Sequence, residues 1–339
     1  MPERLIDKLR ELLAGAEGRE VALRYLREEL RLEPGTSQWE SIRMSMKALT
    51  EQKVVKPSGR NDGVYKVLVP VKPVSFSLEG DDKEGVLPVR FPRSYIDDTT
   101  FGLEDMVELS EGDLILITGE TNYGKTAIAL SFLGENLGLL KGSLLMGSEY
   151  TSSAGQISPK LKRRLRRMNW AKWEENGKIR FALLPVEHDY EDYIGNYPDH
   201  FIVIDWLTLP GEFYLIDSVM KTIKNGYGRG VGAIVLQKNK NNEFAEGGQR
   251  SERYADLVLK IDRFGEHESL MTIGKVKSAK GIATGKRFAF TISDYGANLE
   301  YIREVVKCPK CWAKGWIKNQ GEANRCPVCK GKKFVDKGG

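Results

Sequence analysis

The eight residues GETNYGKT, at positions 119–126, constrain the fold of this chain more than any other segment. Two glycines bracket four residues, and Lys125 and Thr126 follow directly. The apolar run DLILITG leads in as a buried strand, and KTAIALSFLGENL leads out as a helix that turns Ile128, Leu130, Phe132, Leu133 and Leu137 inward. Strand, glycine-rich loop and helix in that order make a phosphate cradle. Gly119 and Gly124 let the backbone fold back, so that N–H groups along Glu120, Thr121, Asn122 and Tyr123 surround an anion at the positive end of the helix. Lys125 adds a point charge for the outer phosphates. From residue 96 to 305 the pattern goes on alternating strands with helices, which is the pattern of an α/β fold.

A phosphate cradle of this type works with a divalent cation, and Thr126 offers its hydroxyl to Mg²⁺. The second group on the ion is usually an acid at the end of an apolar strand. HFIVIDWL supplies one, with Asp205 emerging from the run Phe201 to Ile204. GSLLMGSEYT is another apolar strand, and Glu149 sits just past its end. A carboxylate there can orient a water molecule and accept its proton.

Four segments now stand in a recognisable order: LSEGDLILITGETNYGKTAIALSFLGENL, LLMGSEYT, FIVIDWLTL and GAIVLQKNK. Together they resemble the RecA-like P-loop ATPases, nearest the branch of DnaB-type replicative helicases and KaiC-like proteins. The resemblance implies an ATP-binding α/β core with a mainly parallel sheet and a place in a homo-oligomeric ring or filament. It implies that Glu149 activates water and that Gln237 senses the γ-phosphate. The loop after Gln237, KNKNNEFAEGGQRS, is implied as a single-stranded DNA contact through Lys238, Lys240 and Arg250. In hexameric relatives a K-x-R pair on the closing hairpin reaches the neighbouring subunit's γ-phosphate. Here the pair is Lys275-Val276-Lys277, so Lys277 stands where the family has arginine. An ammonium neutralises charge but lacks the guanidinium's two-pronged geometry.

Residues 1–70 read as three short helices and a hairpin. The apolar stripes are Leu5, Ile6, Leu9, Leu12 and Leu13, then Val21, Leu23, Leu26 and Leu30, then Trp39, Ile42, Met46 and Leu49. Ser37 and Glu40 have the spacing of a capping box, and Asn61-Asp62-Gly63 marks the hairpin turn. This order resembles a winged helix, which implies DNA-facing candidates at Gln38, Ser41, Arg43 and Lys47 on the third helix and Lys56, Arg60 and Lys66 on the wing. Winged helices also dock proteins. The helical collar that usually precedes a DnaB-type core is replaced here by this segment. Residues 71–95 are rich in Pro, Gly and charge and read as a linker. The run SPKLKRRLRRMNW carries six Lys/Arg between 160 and 167 and suits either a nucleic-acid path or a solvated helix.

All four cysteines lie in the last segment, 306–339, as CPKC and CPVC separated by fourteen residues. Four thiolates in two such knuckles make a closed, structural Zn²⁺ site of Cys308, Cys311, Cys326 and Cys329, and the segment resembles a zinc ribbon. Nine Lys/Arg stand there against Glu322 and Asp336, beside Trp312, Trp316 and Phe334, a composition suited to nucleic acid. The remaining residues are near neutral. No apolar run approaches a membrane span, and the amino terminus lacks a secretory pattern, so a cytoplasmic protein is expected. The functional expectation is an ATP-hydrolysing motor or remodeller on single-stranded DNA. A nucleotide-switched DNA-binding regulator or loader, or a recombination or repair ATPase, are the alternatives.

Overall fold

The computed structural model describes residues 5–59, 62–69, 75, 77–152, 155–209, 213–239, 242–319 and 322–338. Arg60, Asn61 and Lys240 therefore lie outside the described residues. The chain divides into two compact units, residues 1–80 and 81–339.

The first unit runs α1 (Leu5–Leu13), β1 (Glu20–Ala22), α2 (Leu23–Glu29), α3 (Ser37–Glu51), β2 (Val55–Pro57) and β3 (Val64–Val67). The strands form an antiparallel sheet in the order β1-β3-β2. The helices and hairpin follow the expected order; β1, at three residues, is too short to announce itself by alternation. Leu9, Leu13, Leu26, Ile42, Met46 and Leu49 fill the core. The α3 cap is Thr36 rather than Ser37: Thr36 Oγ1 accepts the Trp39 N–H at 3.3 Å. Gln38, Arg43, Lys47, Lys56 and Lys66 are exposed, while Ser41 is half-buried.

In the second unit, β4 (Val86–Leu87) pairs with β5 (Leu109–Ser110), with α4 (Leu103–Met106) between them. The expected linker is thus packed from Val86 onward, and Val89 and Phe91 are buried in the main core. Next come β6 (Leu114–Gly119), α5 (Lys125–Glu135), β7 (Ser143–Met146) and α6 (Pro159–Arg167). A short hairpin, β8 (Glu174–Glu175) and β9 (Lys178–Ile179), precedes β10 (Ala182–Leu184), α7 (Tyr190–Ile194) and β11 (Phe201–Ile204). Then follow α8 (Ile216–Gly226), β12 (Val231–Gln237), β13 (Leu257–Phe264), β14 (Glu268–Val276), β15 (Arg287–Ser293) and β16 (Asn298–Lys307). The last strands are β17 (Trp316–Asn319), β18 (Glu322–Arg325) and β19 (Phe334–Asp336).

One sheet of ten strands organises this unit, in the order β10-β7-β11-β12-β6-β13-β14-β15-β16-β19. The strands from β10 to β13 are parallel, and from β13 to β19 each pair is antiparallel. This is the α/β architecture with a mainly parallel sheet that the RecA-like resemblance implied. Successive residues of a strand face opposite sides. Ile115 and Ile117 accordingly enter one buried cluster, Leu114 and Leu116 another, so both faces of β6 are covered. That double burial is why the strand reads as an unbroken apolar run. The parallel register brings Gly119, Met146, Ile204 and Gln237 to the carboxyl edge of the sheet, where α/β folds place their ligands.

Candidate active site

The loop after β6 closes tightly because two positions carry no side chain. A Cβ on Gly119 would stand 2.0 Å from the Ile261 carbonyl oxygen of the neighbouring strand. Gly124 has φ +102°, and a Cβ there would meet Ile292 Cδ1 at 2.2 Å. Glycine alone satisfies both constraints, so the loop can lie against β13 and β15 and still open α5.

Around this loop lies a cleft of about 530 Å³ lined by Thr121, Asn122, Gly124, Lys125, Thr126, Glu149, Asp205 and Gln237. Residues expected from four separate strands therefore meet at one opening. Gly119 ends β6 beneath it, and Tyr123 packs against the main core, leaving its backbone to the loop. Lys125 is buried and its Nζ donates to the Glu120 carbonyl at 2.7 Å. Burial pulls its ammonium below the ordinary lysine value, against the charges of Asp205 and Glu120.

Asp205 is the most enclosed acid of the group, only 4% exposed. Its Oδ2 accepts from the Tyr150 hydroxyl, and the Thr126 hydroxyl also bonds to the carboxylate. Oδ1 is buried with no partner among the described residues. Burial pushes this carboxyl up, against the Tyr150 and Thr126 bonds and the Lys125 and Arg164 charges. A buried carboxylate oxygen without a donor, beside a threonine hydroxyl, is a donor set suited to a hard divalent cation. Burial likewise holds the Tyr150 phenol protonated, so it remains a donor to Asp205. Glu149 is exposed at the mouth, one residue before Tyr150, in the short turn that follows β7. A Cβ on Gly147 would come 2.3 Å from the Asp205 carbonyl oxygen, so this glycine lets the β7 turn pass close to β11.

Arg164, from the basic run noted in the sequence, also lines the cleft, together with Trp206, Ile292 and Tyr295, to which no role was given there. Arg164 belongs to the basic helix α6. Its Nε donates to the Tyr295 carbonyl at 3.0 Å, while Arg163 and Arg167 stand 5.3 and 4.9 Å from the Tyr295 ring centre. Arg167 also pairs with Asp294. Three of the six cations of α6 thus grip the β15–β16 turn against the cleft, while Lys160, Lys162 and Arg166 remain exposed.

Two expected contacts stand elsewhere. Lys238 is not a loop cation open to DNA: it is 6% exposed, its Nζ pairs with Asp262, and its N–H donates to the Gly119 carbonyl at 2.9 Å. Its backbone position one residue beyond Gln237 locks it into the sheet. Lys277 Nζ bonds Asp256 Oδ1 at 2.7 Å, and Asp256 Oδ2 accepts the Leu114 N–H at 2.8 Å. Leu114 opens β6 and Gly119 closes it, so Lys277 stands at the edge of the sheet opposite Lys125 and cannot serve this chain's own loop. Lys275 Nζ donates to the Glu252 carbonyl at 2.9 Å. Arg250 is exposed.

The four cysteines of the last segment are buried together, their sulfurs within 4.8 Å of one another and none in a disulfide. Cys308 and Cys326 are 3.7 Å apart and Cys311 and Cys329 3.5 Å. A tetrahedral Zn²⁺ with bonds of about 2.3 Å sets its sulfurs ~3.8 Å apart, so the donor set fits that ion. Gly315 N–H donates to Cys311 Sγ at 3.3 Å, which favours a thiolate. Among the described residues no other His, Cys, Asp and Glu group has this arrangement. The module is joined to the large sheet by β19 on β16. No helix among the described residues is long and apolar enough to cross a membrane.

No family model matches the chain, and no curated protein matches it. Among solved structures it is similar to a KaiC-like protein from the hyperthermophilic archaeon Pyrococcus horikoshii OT3, at 18% identity and a TM-score of 0.45. The likeness covers 63% of this chain and 99% of that one.

Proposed function

We propose that this chain is a DNA-dependent P-loop ATPase whose hydrolysis drives a motor or remodeller of the DnaB-helicase type on single-stranded DNA. The observation that carries the ATPase reading is the convergence of Lys125, Thr126, Glu149, Asp205 and Gln237 on one cleft at the carboxyl edge of the sheet. The loop N–H groups and Lys125 hold the phosphates of ATP. Thr126 and the free Oδ1 of Asp205 hold Mg²⁺, which supplies charge neutralisation on the phosphate oxygens. Tyr150 fixes the Asp205 carboxylate in place from its other oxygen. Glu149, at the solvent-facing mouth, orients a water and takes its proton. Gln237, between this site and the loop that follows β12, senses the outer phosphate.

DNA dependence rests on composition and topology. The loop after Gln237, with Arg250, leaves the sheet at the same edge as the phosphate loop. The first unit has the element order of a winged helix, with Gln38, Arg43, Lys47, Lys56 and Lys66 exposed, and the zinc-ribbon-like segment adds a basic surface. Lys277, placed away from its own loop, is free to serve the phosphates only of a neighbouring copy, as a ring or filament would provide. A slower, nucleotide-switched regulator or loader is the second reading, favoured by Lys277 standing in place of arginine and held by Asp256.

The test is the steady-state ATPase rate with and without single-stranded DNA and with duplex. A motor predicts at least tenfold stimulation by single strands with little sequence preference. Slow hydrolysis indifferent to single strands, with selection of a duplex sequence, would replace the motor by the switch.

A further inference from the structure

The four-cysteine module does not hang free of the ATPase sheet. Between it and the β13–β14 hairpin lies a second cleft, of about 830 Å³, whose charged lining is Arg263, Glu266, Arg325, Lys330 and Lys333 together with Asp262, Glu268 and Lys332. Its charges sort into two sets. Glu268 is neutralised by Arg303 at 2.6 Å and Lys332 at 2.9 Å, and Asp262 by Lys238. Arg263, Arg325, Lys330 and Lys333 are exposed and have no carboxylate partner among the described residues, with Glu266 as the remaining acid of the lining. A fold that leaves four cations around one concave surface concentrates positive potential there.

A flat apolar group adjoins the lining. Trp316 is directly opposite Arg325 in the β17–β18 pair, so the two share a face of that hairpin. Trp316 is 43% exposed. An exposed indole beside unpartnered cations suits a ligand that alternates charged and stackable groups.

We propose that this cleft binds the phosphate backbone of a single nucleic-acid strand, with Trp316 stacking on its bases. A duplex buries its bases and offers the indole nothing to stack on, whereas a single strand offers both groups. The cleft opens at the edge that holds the phosphate loop, because β13 pairs with β6 through Ile261 and Gly119. Asp262 belongs to its lining and is bonded to Lys238, the residue after Gln237, so a bound strand lies one ion pair from the nucleotide sensor. The choice of nucleic acid over an acidic protein rests on the proposed function, but the site itself does not need hydrolysis.

The experiment measures fluorescence anisotropy of a labelled oligo-dT strand with the full chain holding its zinc, over a range of salt. The variants are the triple charge reversal Arg325→Glu, Lys330→Glu, Lys333→Glu and the milder Lys330→Gln, Lys333→Gln, each checked for zinc content. The expected result is at least a tenfold loss of affinity in the triple variant and a smaller loss in the double. The salt slope of the triple variant flattens by about 2, as removal of three phosphate contacts on a single strand requires. Unchanged affinity in both variants, at full zinc content, would overturn the site. Displacement of the strand by polyglutamate of equal charge, as readily as by unlabelled oligo-dT, would also overturn it in favour of an acidic protein partner. ATPase stimulation is read separately on the wild-type chain. If binding depends on the cleft while hydrolysis ignores the strand, the motor reading fails and the cleft stands.

Discussion

At the scale of single residues, the site is an exercise in incomplete satisfaction. Asp205 is enclosed, bonded on one oxygen and empty-handed on the other, and burial holds its carboxyl above the ordinary value. A raised carboxyl means that the folded chain without metal is penalised wherever this group ionises, and a bound divalent cation removes the penalty. Mg²⁺ with ATP is therefore expected to raise the melting temperature of the wild-type chain more than ATP with a chelator does. At a hundredfold excess over Kd the stabilisation is about 2.7 kcal/mol. In Asp205→Asn the added effect of Mg²⁺ should vanish; an undiminished effect in a thermal melt would remove Asp205 from the cation site. Lys238 carries a different expectation. Lys238→Met leaves Asp262 without its cation, and breaking such a partly buried pair costs about 3 kcal/mol or more. Urea unfolding should register that loss, and a cost near zero would show the pair to be incidental.

At the scale of elements, what can be read from sequence divides along the line between local and distant causes. The strand before the loop, the loop itself and the acid ending FIVI are legible because each leaves its mark in a few consecutive residues. Burial on both faces gives an unbroken apolar run, and the two glycines announce the loop by their spacing, although the clashes they avoid are with Ile261 and Ile292, far along the chain. Burial of Lys238 is not legible, since a lysine after a strand looks alike whether it meets solvent or Asp262, twenty-four positions on. The same holds for α6, whose six cations read as one solvated or nucleic-acid face until Tyr295, from the far end of the unit, divides them. The packed stretch after Val86 reads as a linker because its partner strand is two residues long. Asp97 is another such distant staple: it accepts the Tyr301 N–H at 2.7 Å and two bonds from Thr99. Burial raises its carboxyl, but the hydrogen bonds from Thr99, Ser94 and Tyr301 prevail and hold it down at about 2. A lowered carboxyl stabilises the fold fully above its unfolded value of 3.8 and ceases to do so as pH falls toward about 2. Asp97→Asn should thus narrow the stability gap to wild type across that window, as followed by thermal melts at stepped pH; a gap constant from pH 6 to about 2 would contradict the assignment. The four-cysteine module gives a parallel test. Ile317 and Val335 are the partly buried apolar side chains packed on its sulfurs among the described residues, so a bound zinc would supply most of its order. Cys308→Ser should expose β17 and β18 to trypsin while the main melting transition of the sheet persists.

At the scale of the whole molecule, the phosphate loop and Lys277 lie at opposite edges of one sheet, and the proposed ring or filament would bring them together head to tail. A mixture of Glu149→Gln and Lys277→Ala chains, each inactive alone, should then recover about a quarter of the wild-type rate, because a quarter of randomly formed interfaces pair an intact Glu149 with an intact Lys277. Additive inactivity in the mixture would confine each site to its own chain. The claim beneath all of these is that one cleft both holds Mg²⁺ with ATP and cleaves it through Glu149. Its most direct measurement is a single-turnover comparison of wild type and Glu149→Gln, with ATP affinity determined alongside. The account predicts that the variant binds ATP within about threefold of wild type and cleaves it at least ~100-fold more slowly. Cleavage at an unchanged rate would place the base elsewhere and contradict it.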